Sequence, residues 1–225
     1  MCLGGRTPGY VLCDACDQAQ GSYEIPRSLW ASFVAITTAI QGHAWYTRLT
    51  TFAQGTQEYL SQAATITRVY LNAHEGDIRR ALGGKPEALV VVPSRRIDAG
   101  GEADPLVALA DVARPMGLRP RDSLTYRGGG VGKRRRPYHP EEYEPGPRSV
   151  AGQRVILLSD LWVTGGTLLS ASAALLEHGA SAVLPVAIAR HASAAAWKTR
   201  TVKGGPHPYW SGIREPWDRS HWPRG

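Results

Sequence analysis

The 225-residue chain reads as an α/β protein on a doubly wound, mostly parallel sheet. Three observations predict this class. Ala88–Val92 is continuously apolar, and Arg154 leads straight into a second apolar run, Val155–Leu158. Such runs are the mark of strands buried on both faces. A third apolar run, Ala182–Ala189, follows after one helix-length segment. Strand, turn, helix and strand in this order make a βαβ unit, which requires parallel strands and a right-handed crossover.

Residues 1–22 are rich in Gly and Cys and show neither helical nor strand period, so they are set apart as a small cysteine-bearing segment. Residues 23–87 form an N-terminal helical or hood region of mixed pattern. Within it Trp45, Thr47, Leu49 and Thr51 alternate, which predicts strand over Ala44–Phe52. Gln57–Leu71 reads as a helix, with Tyr59, Leu60, Ala63, Ile66 and Val69 or Tyr70 three to four residues apart. A shorter helix over His74–Leu82 stops at Gly83-Gly84. The α/β core occupies residues 88–202. Pro93 stops its first strand, a turn at Ala99-Gly100-Gly101 follows, and Pro105–Met116 is a helix with Leu106, Leu109, Ala110 and Ala113 on one face. Arg127–Gly146, with its glycines, basic run and three prolines, is a loop or hairpin. Thr167–Leu176 is a helix ended by His178-Gly179. Residues 203–225 carry Trp210, Trp217 and Trp222 among prolines and read as a strap around the body, because Trp is costly to leave in water.

Apolar residues at 43% and charged residues at 20% fit an ordinary globular protein. No apolar run approaches the roughly 20 residues of a membrane span. The first residues lack the basic-then-apolar layout of a signal peptide, and three cysteines are too few for a disulfide scaffold, so the cytoplasm is the expected compartment. The net charge of +7 is local. Eight basic residues and one acid, Asp122, lie between Arg114 and Arg136, and the rest of the chain balances. Such a patch suits polyphosphate or nucleic acid, or is simply a solvated loop.

The chemistry is concentrated in Val155-Ile-Leu-Leu-Ser159-Asp160-Leu-Trp-Val163-Thr164-Gly165-Gly166-Thr167. A buried strand ends in an acid, and a Thr-Gly-Gly-Thr turn opens a helix. Open α/β sheets bind ligands beyond the carboxyl ends of their strands. Glycines let backbone amides approach a phosphate, the helix N-terminus adds partial positive charge, and the threonine hydroxyls add donors. An acid four residues before this cradle reaches the hydroxyls of an attached sugar. The bland alternative is a plain helix N-cap after a tight turn.

This stretch resembles the phosphoribosyl-pyrophosphate (PRPP) loop of type I phosphoribosyltransferases, and the chain is most similar to their ComF-like, amidophosphoribosyltransferase-like branch. Supporting features are Cys13-Asp-Ala-Cys16, Val91-Val92-Pro93-Ser94-Arg95-Arg96 after a core strand, Arg136-Pro137-Tyr138, and Gly179-Ala180. The resemblance is strong over residues 88–190, weaker before them and absent from the tail. It implies that Asp160 holds the ribose hydroxyls, that Thr164, Gly165, Gly166 and Thr167 hold the 5′-phosphate with Val163 also in the PRPP site, and that Ser94 and Arg95 meet the pyrophosphate with Mg²⁺ bridging. It further implies a nitrogen acceptor that displaces pyrophosphate at the anomeric carbon, chosen by residues of the hood. Lys133, Arg134, Arg135 and Arg136 would then form a cationic flap. The family has two adjacent acids where this chain has Ser159-Asp160. The missing carboxylate is worth about 1.5–3 kcal/mol as a charge-assisted bond, or about 10- to 100-fold in binding or rate.

Two further patterns are weaker. Gly128-Gly-Gly-Val-Gly132-Lys133 is one residue short of a nucleotide P-loop, has Arg134 where Ser or Thr is required, and follows no predicted strand. Cys2, Cys13 and Cys16 suit a structural zinc knuckle lacking one cysteine, or a vestigial site with reduced thiols. Three functions therefore stand: a phosphoribosyltransferase, a non-catalytic PRPP sensor or scaffold, and a single-stranded nucleic-acid binder. The last would use Tyr126, Tyr138 and Tyr143 as stacking platforms beside the basic patch.

Overall fold

The computed structural model describes residues 33–50, 57–93, 104–127, 138–163 and 165–192. The cysteine-bearing segment 1–22, the turn at 99–101 and the tryptophan-bearing residues 203–225 lie outside them. The described elements are β1 (Val34–Ile40), α1 (Ala44–Thr50), α2 (Gln57–Ala73), α3 (Glu75–Leu82), β2 (Ala88–Val91), α4 (Pro105–Ala113), β3 (Pro120–Arg121), β4 (Leu124–Tyr126), β5 (Tyr143–Pro145), β6 (Arg154–Trp162), α5 (Gly166–Glu177) and β7 (Ala182–Ala192). Five strands form one sheet in the order β1-β7-β6-β2-β3. Every neighbouring pair in it is parallel.

The central strands are apolar on both faces because both faces are covered. Leu89 and Val91 of β2 and Ile156 and Leu158 of β6 share a core with α1–α4. Ala88, Val90, Val155 and Leu157 face the opposite core, where Leu168, Leu169 and Leu175 of α5 pack. A parallel sheet with helices on both faces is the α/β architecture the apolar runs predicted. Among the described residues no helix is long and apolar enough to cross a membrane.

Several predicted boundaries move for identifiable reasons. The predicted Pro105–Met116 helix ends at Ala113, because Arg114 adopts a left-handed conformation (φ 38°) ahead of Pro115. Asp104 caps its start by accepting the Leu106 N–H at 2.8 Å. The base of the 127–146 segment is a hairpin in which β4 and β5 pair antiparallel, Tyr126 opposite Tyr143. A three-residue strand thus does precede Gly128, contrary to the sequence reading, although the faulty P-loop spacing is unchanged.

One prediction is overturned. Ala44–Phe52 is not a strand, since Ala44–Thr50 is helix α1. Trp45 and Leu49 are two steps apart twice over in a strand and one turn apart in a helix, so a short window fits both periods. Tertiary bonding decides it. Trp45 Nε1 donates to Thr37 Oγ1 at 2.9 Å, and that hydroxyl donates to the Ile188 carbonyl at 2.8 Å. The strand of this region is β1, which starts ten residues before the predicted one and pairs with β7 from Val34↔Val186 to Ile40↔Ala192. Residues 34–82 thereby contribute a strand and three helices to the same layered body as β2–β7.

Candidate functional site at the carboxyl ends of β2 and β6

The chain order across the sheet creates a crevice. From β2 the chain moves outward through α4 to β3, and from β6 it moves the other way through α5 to β7. With one crossover hand, the two helices must leave on opposite faces, and they do. β2 and β6 are neighbours, and the Val92 N–H donates to the Leu158 carbonyl at 2.9 Å. The carboxyl ends of β2 and β6 therefore stand side by side at a topological switch point, the general ligand position of open α/β sheets.

Strand β6 brings the acid to this point. It continues beyond the predicted Leu158 to Trp162, so Asp160 lies two residues before the strand's carboxyl end. The ladder to β7 runs through Ser159↔Ala187 and Leu161↔Ala189 and omits Asp160. The Asp160 carboxylate instead accepts the Leu161 N–H at 2.6 Å and the Ser159 hydroxyl at 3.4 Å. Ser159 is 5% exposed. The position where a second acid was expected is thus an interior position, and its hydroxyl serves Asp160.

The turn after β6 shows why its glycine is needed. Gly165 caps α5 in the left-handed region (φ 85°) and its carbonyl accepts the Leu169 N–H at 2.9 Å. A Cβ there would stand 2.5 Å from Trp162 Cζ2 and 2.9 Å from Cε2 and Cη2. Only glycine meets both demands. Thr167, on the first turn of α5, has its Oγ1 out of contact with water and without a hydrogen-bond partner among the described residues. Val163 is exposed, while Gly166 is buried. Ser170 Oγ donates to the Gly166 carbonyl at 2.6 Å and accepts the His139 N–H at 2.8 Å. This ties His139, three residues beyond the basic run, to the start of α5. His139 also meets Glu141 at 2.7 Å, and the Glu141 carboxyl is held below its usual range, chiefly by a backbone hydrogen bond and further by His139.

A cavity of about 720 Å³ opens beside the crevice, between β2, β3, α4 and the hairpin. Pro93, Val107, Arg121, Asp122 and Arg148 line it, so two cations face one acid. Arg121 is steadied by donating to Gln153 Oε1 at 2.9 Å.

Of the residues singled out in the sequence, Asp160, Val163, Gly165, Gly166 and Thr167 are gathered at one strand-to-helix turn. Ser94, Arg95, Thr164, Lys133, Arg134, Arg135, Arg136, Cys2, Cys13 and Cys16 lie outside the described residues. Among the described residues no group of three His, Cys, Asp or Glu side chains could hold a metal ion. Tyr143 is corrected as a stacking platform: it is 2% exposed and packs against Tyr126, with ring centroids 5.5 Å apart. Sequence reasoning missed Trp162, Arg190 and Phe33. Phe33 stacks on Trp162 with centroids 4.0 Å apart and planes 15° apart, and the Arg190 guanidinium lies 5.8 Å from the same ring. An arginine directly after the apolar run Ala182–Ala189, still within β7, was the one legible signal.

No family model matches the chain, and no curated protein matches it either. The functional reading rests on the site itself.

Proposed function

We propose that this protein binds PRPP at the turn between β6 and α5 and transfers its phosphoribosyl group to a nitrogen nucleophile, releasing pyrophosphate. The observation that carries the reading is the placement of Asp160 and the Gly165 turn at the switch point between β2 and β6. In this reading the 5′-phosphate sits at the α5 N-terminus, where amide groups and the helix dipole favour an anion. The Thr167 hydroxyl, now without a partner among the described residues, supplies a donor. Asp160 holds the ribose hydroxyls. The pyrophosphate extends toward the β2 end and the Arg121–Arg148 cavity. Mg²⁺ suits this donor set, since it takes one or two carboxylates and completes its shell with substrate phosphates and water. Asp160 would be the protein's ligand to it, and its chemistry is neutralisation of the leaving pyrophosphate. The chain's own contribution is positioning of the sugar and charge balance around the departing group. The parallel sheet and its crevice suit the type I phosphoribosyltransferase fold that the sequence resembles.

Ser159 favours a second reading, a PRPP-binding sensor or scaffold with little turnover. It is buried and bonded to Asp160, so position 159 offers no second carboxylate to the developing positive charge of the sugar. Titration calorimetry with PRPP, with and without Mg²⁺, tests both readings on the wild type and Asp160→Asn. Mg²⁺-dependent binding that weakens at least tenfold in Asp160→Asn supports the site. Pyrophosphate release with amine, ammonia or nucleobase acceptors then separates enzyme from sensor. No heat at millimolar PRPP overturns the assignment.

A further inference from the structure

Beneath the Gly165 turn lies a layered stack that the proposed chemistry does not by itself require. Trp162 is 2% exposed and Arg190 is 1% exposed. They are register partners on β6 and β7, and Thr38 of β1 is the partner of Arg190 on its other side. Phe33 covers the Trp162 ring at 4.0 Å, and the Arg190 guanidinium stands 5.8 Å from the ring centre. The benzo edge of the same indole occupies the space a side chain at Gly165 would need, with Cζ2, Cε2 and Cη2 2.5–2.9 Å from where its Cβ would stand. The indole N–H, by contrast, has no hydrogen-bond partner among the described residues. A buried unmet donor is costly, so this indole is placed for the shape of its ring and not for its polar atom.

We propose that Trp162, clamped by Phe33 and Arg190, is the positioning residue of the anion-binding turn: its benzo edge is the floor that holds Gly165 in its left-handed conformation. The inference rests on the PRPP reading for its ligand, but the floor itself is a property of the free protein. Gly165 has open conformational choice as a glycine, and without a floor the turn samples several forms. A ligand that needs one form then binds more weakly in proportion to its reduced population.

The test is Trp162→Phe in the full chain. Phenylalanine keeps an aromatic ring at Phe33 and Arg190 but lacks the benzo edge and the indole N–H. The first readout needs no ligand. Amide hydrogen exchange of the free protein is expected to accelerate at least tenfold in the peptide spanning 162–167, with β2 and the middle of α5 unchanged. The second readout is PRPP affinity, expected to fall at least tenfold with melting temperature close to wild type. Trp162→Tyr, which extends the ring again, is expected to recover part of both. Unchanged exchange at 162–167 overturns the proposal, as does faster exchange spread evenly through the sheet, which marks plain destabilisation. If the wild type binds no PRPP but exchange at the turn accelerates, the ligand reading fails and the positioning role stands. Intact PRPP binding in both proteins leaves the ligand reading in place and overturns this one.

Discussion

Replacing Gly165 with alanine tests the local geometry most directly. Two costs are built into the position. A non-glycine residue in the left-handed region costs about 1–2 kcal/mol. The added methyl would stand 2.5 Å from Trp162 Cζ2, and ring and backbone must separate by about an ångström to restore ordinary contact. Overpacking of this kind costs about 1–3 kcal/mol. Together these predict a loss of about 2–5 kcal/mol, or a melting point lower by roughly 4–20 °C for a chain of this size. The two terms separate in a double-mutant cycle with Trp162→Phe. The shorter ring removes the steric term and leaves the backbone term, so Gly165→Ala is expected to cost only about 1–2 kcal/mol in that background. Urea unfolding followed by circular dichroism measures all four proteins. An equal cost of Gly165→Ala in both backgrounds would falsify the claim that the indole sets the turn. A cost below about 0.5 kcal/mol in the wild type would deny the left-handed conformation as well.

Other consequences are as concrete. Ser159→Asp restores the paired acids of the resembled loop, and pyrophosphate release is expected to rise about 10- to 100-fold. Because position 159 is interior, that variant is also expected to unfold at lower urea, and higher activity without loss of stability would contradict the placement. Thr37→Val strips the acceptor from Trp45 Nε1 and the donor from the Ile188 carbonyl, and should cost about 2–3 kcal/mol, whereas Thr37→Ser should cost less than half of that. His191 has its pKa lowered, first by burial and then by Arg190. The unfolded chain therefore takes up a proton there before the folded one does, and stability present above about pH 6.5 is lost as pH falls. His191→Phe is expected to flatten the stability profile between pH 7 and pH 5, and an unchanged slope would remove His191 as its cause.

The sequence alone was sufficient for the elements whose burial is two-sided and whose ends are chemically marked. β2 and β6 are unbroken apolar runs because helices cover both of their faces. α5 begins within a glycine pair, one residue before the predicted Thr167, and ends at His178-Gly179, and Pro105 marks the start of α4. The acid and the glycine turn were legible for the same reason: their spacing is local, so strand, turn and helix geometry bring them together without help from distant residues.

Tertiary structure decided the rest. β1 carries Val-Ala-Ile-Thr-Thr-Ala-Ile, a pattern without clean alternation because both of its faces are enclosed, and two threonines obscure the apolar run. Whether Trp45 and Leu49 belonged to strand or helix depended on a hydrogen bond to Thr37 and the carbonyl of Ile188, far along the chain. The order β1-β7-β6-β2-β3 came from packing, and with it the crevice that puts the end of β2 beside Asp160. Phe33, Trp162 and Arg190 are ordinary residues in sequence and become one stack only when β7 lies between β1 and β6. A chain's local chemistry fixes which turn can bind an anion, because capping and glycine geometry are short-range. What holds that turn in one shape is long-range contact, which no local pattern records.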